Sequence, residues 1–259
     1  MKKSFLLLAL LAVQACQQPA KNQLLLFNEQ EEGVDPYQTR IIVTPEFVRF
    51  DDGDSSKSFL LYDRKNRQAL NVNHNARTIM LVKYKDVSIQ PPFELKHEDI
   101  RVDDVQDAPA IHGIKPKHHQ LKTNGQVCMD VISIEGLMPQ AVAALNEFQR
   151  LLASDSAVTF NSIPADMHEP CAMAMSTFEP ARYLTYGFPI HQWRPGYSRS
   201  LVDFKEDYQA DPALFELPKD YFRYTVQAFR EGRVDLENRK IIEPDDAKGV
   251  ISAAGKASN

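Results

Sequence analysis

VRFDDGDSSKSFLLYDRKNRQALNVNHNARTIMLV, residues 48–82, decides the fold. Apolar runs alternate with polar breaks: SFLLYD at 58–63, ALN at 69–71 and RTIMLVKY at 77–84 are separated by DDGD at 51–54, RKN at 64–66 and NHN at 73–75. Short β-branched and aliphatic runs between Gly/Asn/Asp breaks read as strands and turns. Connections this short join only antiparallel neighbours, so the stretch predicts a meander. The acidic break 51–54 lacks the alternating oxygen ligands and closing Glu of an EF-hand calcium loop, which leaves a hairpin turn.

Upstream, TRIIV at 39–43 and FVRF at 47–50 extend the same pattern. Downstream, 86–117 is interrupted by Pro91, Pro92, Pro109 and Pro116, with room for short strands near 93–95 and 111–114. A hairpin follows: 118–123, the Asn124-Gly125 turn, then 126–134. Asn-Gly between such runs is a strong hairpin signal. Pro139 opens a helix over 139–154, at the position where its missing N–H is no loss. Val142, Leu145, Phe148 and Leu152 follow at spacings of three and four and form one apolar stripe. The segment 157–178 reads as loop. Strands resume at 182–193, where Gly187 and Pro189 suggest a bulge or bend. After the Pro195-Gly196 turn come 197–204, 214–217 and 221–226, although the chain from Arg223 onward also suits a short helix. One amphipathic helix among strands must lay its stripe on the sheet, which makes the class α+β.

The N-terminus, MKKSFLLLALLAVQAC, starts with Lys2 and Lys3 and continues as an unbroken apolar run from Phe5 to Val13. Such a run is a signal-peptide core, too short for the ~20 residues that span a bilayer. Val13–Cys16 resembles the lipobox of bacterial lipoproteins, with an aliphatic residue at −3 and Ala15 at −1, while Gln14 departs from the commoner small or β-branched residue. The resemblance implies cleavage before Cys16 and acylation of that cysteine. Gln17, where Asp is absent, fits outer-membrane retention in Gram-negative lipoproteins, with the domain facing the periplasm. The expected organisation is signal peptide 1–15, tether 16–36 with 24–27 available as a first strand, sheet domain 37–238 and a flexible tail 239–259.

Loss of Lys2 and Lys3 with residues 1–15 takes the net charge from −5 to −7. An acidic chain without a Lys/Arg cluster offers little to a nucleic acid, and membrane attachment would fall to acyl chains. With Cys16 assigned to lipid, Cys128 and Cys171 remain. In an oxidising compartment an even pair reads as a disulfide; thiolate metal ligands are the rival.

The ladder over 48–82, the helix inserted late among strands and the closing LFELPKDYFRYT at 214–225 together resemble the LolA/LolB-like half-barrel and related lipoprotein families, over roughly 40–225. The resemblance implies a curved antiparallel sheet wrapped around one main helix and short helical segments, with an apolar hollow between. It further implies an apolar or amphiphilic ligand, such as a lipid or a lipoprotein acyl chain, or a cell-envelope partner. A structural envelope role without ligand is an alternative.

No G-x-S-x-G elbow, H-E-x-x-H helix or P-loop is present, so no enzyme and no cofactor are expected. The candidate ligand-binding residues are Val142, Leu145, Phe148, Leu152 and Trp193, with a pocket lined from 182–193 and Phe148. A copper-binding alternative rests on His168, Met173 and Met175, soft ligands flanking Cys171 beside Met167 and near Cys128-Met129. His118 and His119, adjacent on a strand, point to opposite faces. His74, His97, His112 and His191 look isolated.

Overall fold

The computed structural model describes residues 21–54, 57–102, 105 and 108–243. The expected signal peptide, Cys16 and the tail beyond 243 lie outside the described residues. From β1 (Gln23–Glu31) the chain lays down β2 (Tyr37–Val43), β3 (Phe47–Asp51), β4 (Phe59–Asp63), β5 (Gln68–Asn73) and β6 (Thr78–Lys83), each antiparallel to the one before. A second meander holds β7 (His97–Arg101), β8 (Lys117–Thr123) and β9 (Gln126–Ile134). Helix α1 (Pro139–Thr159) and short α2 (Pro170–Met173) precede β10 (Phe188–Arg194) and β11 (Tyr197–Lys205). The chain then forms β12 (Phe222–Thr225), α3 (Val226–Arg230) and a two-stranded pair, β13 (Val234–Asp235) and β14 (Lys240–Ile241).

Among the described residues, twelve strands form one open sheet in the order β12-β6-β5-β4-β3-β2-β1-β11-β10-β9-β8-β7, so the α+β class holds. The sheet is mixed rather than purely antiparallel. β12 runs parallel to β6, because the chain reaches that edge by a long crossover instead of a hairpin. The Asn124-Gly125 turn is as expected: both residues have positive φ, 50° and 79°, as the two-residue hairpin demands.

Other expectations need correction. The tether assigned to 16–36 contains β1, nine residues paired on both sides at the middle of the sheet. Its polar half is accommodated because Glu29 accepts a 2.8 Å hydrogen bond from Tyr197, far along the chain. The strand expected over 182–193 begins only at Phe188; Arg182–Tyr186 is a 3-10 turn, closed where Gly187 takes positive φ. The loop over 157–178 is largely helical, with the last turn of α1, α2 and a π-turn at Ala174–Phe178. At 214–217, where a strand was expected, the 3-10 turn Pro212–Phe215 is capped by the Asp211 side chain. Near 111–114 only an isolated Ile111–Ile114 bridge forms, and 93–95 holds no strand. The tail assigned to 239–259 begins with β14.

Both sheet faces are covered across β4–β6. On one face Ala141, Ala144, Leu145, Phe148 and Leu151 of α1 meet Ile41, Val48, Tyr62 and Val131. The Phe148 ring lies 4.7 Å from Phe50 and 5.6 Å from Tyr62, centroid to centroid. On the other face Phe59, Leu61, Leu70, Val72 and Ile79 are closed over by Phe215, Leu217 and Tyr221 from the segment before β12. Cys128 and Cys171 form a disulfide, with Cα atoms 5.0 Å apart, that fastens α2 to β9. Closing a loop with a sequence separation of 43 contributes roughly 4 kcal/mol in chain-entropy terms. Among the described residues no helix is long and apolar enough to cross a membrane.

Candidate functional site

The apolar stripe of α1 is spent on the core. Leu145 and Phe148 are buried, and Val142 is half-buried at the rim of a shallow groove of about 440 Å³ beside Pro139 and Gly187. Leu152 is 37 % exposed, and Leu151 is buried in its place. The stripe visible in the sequence consists of large apolar residues only. Ala141 and Ala144 are fully buried and pull the packed face to their side, and near the helix end Ala153, Ser154 and Ala157 carry the burial. Trp193 does not join Phe148 in a pocket. Its neighbour Gln192 stands opposite Val131 of the core, so Trp193, one residue on, points to the other face of the sheet.

Beside the second half of α1 lies a cleft of about 480 Å³. Three segments form it: the second half of α1, residues 84–89 leaving β6, and the turns at 177–185. Their meeting is stitched by two bonds: the Lys85 backbone N–H donates to Ser154 Oγ at 3.2 Å, and that hydroxyl donates to the Leu151 carbonyl at 3.0 Å. Val87, Ile89, Ala153, Ala157 and Phe178 supply an apolar lining. Tyr84 stands under the guanidinium of Arg67, 3.3 Å from its ring centre.

Three cations line the cleft, in different states. Arg182 is buried and fully committed. It pairs with Asp99 and donates to the Glu98 and Lys122 carbonyls at 2.9 Å and to Thr123 Oγ1 at 3.3 Å. It also lies 3.0 Å from His97 Nδ1, and His97 is held below the usual imidazole range, by burial first and by this neighbouring charge second. Tyr186 donates to the other Asp99 oxygen; burial, then this bond, pushes its phenol up to about 12. Lys85 donates to Gln227 at 2.7 Å. Arg150 is exposed and makes no ion pair or hydrogen bond among the described residues; it also lines the neighbouring hollow at Glu46, Arg64 and Glu147 and the groove at Val142. An apolar wall beside a free guanidinium can hold an anionic amphiphile, tail against the wall and head group on the cation.

The residues of the copper-binding alternative, His168, Met173 and Met175, lie in and beside α2. His168 stacks on Phe160 at 4.6 Å. Met173 is buried and Met175 packs against the main core, and two residues apart in helical turns they face different ways. Among the described residues no three of His, Cys, Asp and Glu come together as metal ligands. Arg150 and Arg182, which give the cleft its charge, were not singled out in the sequence. Arg182 acquires its role from Asp99, 83 residues away.

No family model matches the chain, and no curated protein matches it. Among solved structures it is similar to an uncharacterized conserved protein from Thermus thermophilus, at 11% identity and TM-score 0.38, over 80% of this chain and 91% of that one. It is also similar to PNGF-II in two crystal forms. The first gives 13% identity and TM-score 0.38, over 82% of this chain and 33% of that one. The second gives 14% identity and TM-score 0.30, over 82% and 32%. The chain therefore spans about a third of the PNGF-II chains it matches.

Proposed function

We propose that this chain is an outer-membrane lipoprotein, held by acyl chains on Cys16 and facing the periplasm, whose sheet domain binds an anionic amphiphile in the cleft beside α1. In this reading the sheet curves as a LolA/LolB-like half-barrel around α1, and the ligand is a lipid or acylated molecule of the envelope. Binding alone is its activity, without catalysis or cofactor.

The observation that carries the reading is Arg150, without an ion pair or hydrogen bond among the described residues, beside the apolar lining of Val87, Ile89, Ala157 and Phe178. The Cys128–Cys171 disulfide accords with an oxidising compartment. The ligand test uses cis-parinaric acid, a fluorescent fatty acid, with the full chain. Saturable binding is expected, weakened about tenfold by Arg150→Glu, equivalent to ~1.4 kcal/mol. Absence of binding, or binding indifferent to the substitution, overturns the ligand reading. The anchor is tested separately: Cys16→Ala should move the protein from the membrane to the soluble fraction, and retention in the membrane overturns the lipoprotein reading.

A further inference from the structure

The pairing registers place an unusual row of side chains on the sheet face opposite α1. Gln120 of β8 stands opposite Asp130 of β9, Asp130 opposite Trp193 of β10, Trp193 opposite Ser198 of β11, and Ser198 opposite Gln30 of β1. One step along, His118, Ile132, His191, Ser200 and Asn28 occupy a second row on the same side. Five strands at ~4.8 Å spacing make each row about 19 Å long. Amides, hydroxyls, imidazoles and the Asp130 carboxylate surround Trp193, the only tryptophan of the chain.

That tryptophan is held in place. Its ring lies 4.8 Å from His191 and 5.1 Å from His118, centroid to centroid. His118 Nε2 is 2.8 Å from Asp130, Gln120 donates to the same carboxylate at 3.3 Å, and His191 Nδ1 is 2.7 Å from Ser200 Oγ. Trp193 remains half-exposed and lines a cleft of about 430 Å³, within the ~300–1,000 Å³ of small-molecule sites. Gln30, Glu32, Arg194 and Ser198 share the cleft, and none of these four side chains spends its polar end on a hydrogen bond within the described residues.

We propose that this face binds an oligosaccharide, one sugar ring resting along Trp193 and its neighbours reaching along the row. A pyranose presents an apolar C–H face and a rim of hydroxyls that both donate and accept. An indole suits the first, and amides, hydroxyls, a carboxylate and a guanidinium suit the second. Glu31 and Glu32 line the cleft together, which selects neutral or amino sugars over uronic acids. The site lies across the sheet from the cleft beside α1, and it is independent of the amphiphile reading.

Because Trp193 is the sole tryptophan, the intrinsic fluorescence of the full chain reports on this site directly. Chitotriose, cellotriose and maltotriose are the probes, with trigalacturonate as the control. At least one of the three is expected to shift the emission saturably with a dissociation constant of about 0.1–1 mM. By calorimetry, Trp193→Ala and, separately, the exposed pair Gln30→Ala with Glu32→Ala should each weaken that binding tenfold or more. The pair leaves the indole in place, so its result does not depend on how well the tryptophan variant folds. The proposal is overturned if none of the three probes shifts the emission. It is equally overturned if trigalacturonate binds as tightly, or if the Gln30/Glu32 variant binds as well as the parent.

Discussion

At Gly187 the backbone takes φ 105° and ψ −161°, a region closed to side chains, and a Cβ there would lie 2.4 Å from the Ile134 carbonyl oxygen. The other near atoms are also backbone, Ile134 C and Glu135 Cα, so no rotamer change relieves the overlap. Strain of this kind costs ~1–3 kcal/mol before any clash is counted, and Gly187→Ala is expected to lose about 3 kcal/mol or more in urea unfolding. A loss below about 1 kcal/mol would mean that β9 and β10 tolerate a shift. Asp51 poses the electrostatic counterpart. Its carboxylate, with no exposed surface, accepts from Arg40 at 2.7 and 2.9 Å and from Arg49 at 2.5 Å. Arg49 is itself 3% exposed and donates onward to the Leu214 carbonyl, which joins β3 to the segment covering the outer face. Asp51→Asn keeps the volume but strands two guanidiniums, and about 3–5 kcal/mol of stability should go with it. The exposed pair Arg77–Asp220 provides the contrast, and Asp220→Asn should change stability by no more than about 0.5 kcal/mol.

Helix α1 shows how periodicity and packing part company. Pro139, the start of the helix and the burial of Leu145 and Phe148 could be read from residue spacing. The final turn could not, since Ala153, Ser154 and Ala157 are buried there without being conspicuously apolar. Beyond Leu151 the helix leaves the sheet and meets the strand exit at Lys85, so its buried side is set by a partner that spacing does not reveal. Substitution separates the two descriptions. Leu151→Ala, at a fully buried site, should cost about 2–5 kcal/mol, whereas Leu152→Ala should cost under about 1 kcal/mol. Equal losses at the two positions, measured by chemical denaturation, would restore the stripe as first read. The same logic explains Trp193: alternation along 188–194 is interrupted by the irregularity between Pro189 and His191, which resets which residues face the helix.

At the scale of the molecule, the hairpin ladder was legible because each turn carries its own chemistry: Asn124-Gly125, the Asp51–Gly53 bend, the Asp63–Asn66 contact. Long-range closure was not. β1 finds β11, β12 finds β6, and Arg182 finds Asp99 across gaps that no local pattern announces. The same closure leaves a signature in the pH dependence of stability. His97, His119 and His191 are all held below the ordinary imidazole value, in each case chiefly by burial; Arg182 adds to this at His97, and Arg101 and Lys117 add to it at His119. Unfolded, these residues take up protons as pH falls through ~6.5, while the native state resists. The unfolded state then binds more protons, so stability must fall as pH drops from about 7 towards 5. Asp51 acts lower down: burial alone would raise it, but Arg40 and Arg49 outweigh burial and keep it depressed, so its contribution is lost only below about pH 4. Urea midpoints across this range should therefore show two successive declines. His119→Phe keeps the stack on Tyr186, 4.0 Å between ring centres, and removes a buried Nδ1 that has no hydrogen-bond partner among the described residues. That variant should make the upper decline shallower, with His97 and His191 still contributing, and leave the lower one in place. A profile level from pH 7 to 5 in the parent chain would show that the three imidazoles are solvated rather than enclosed.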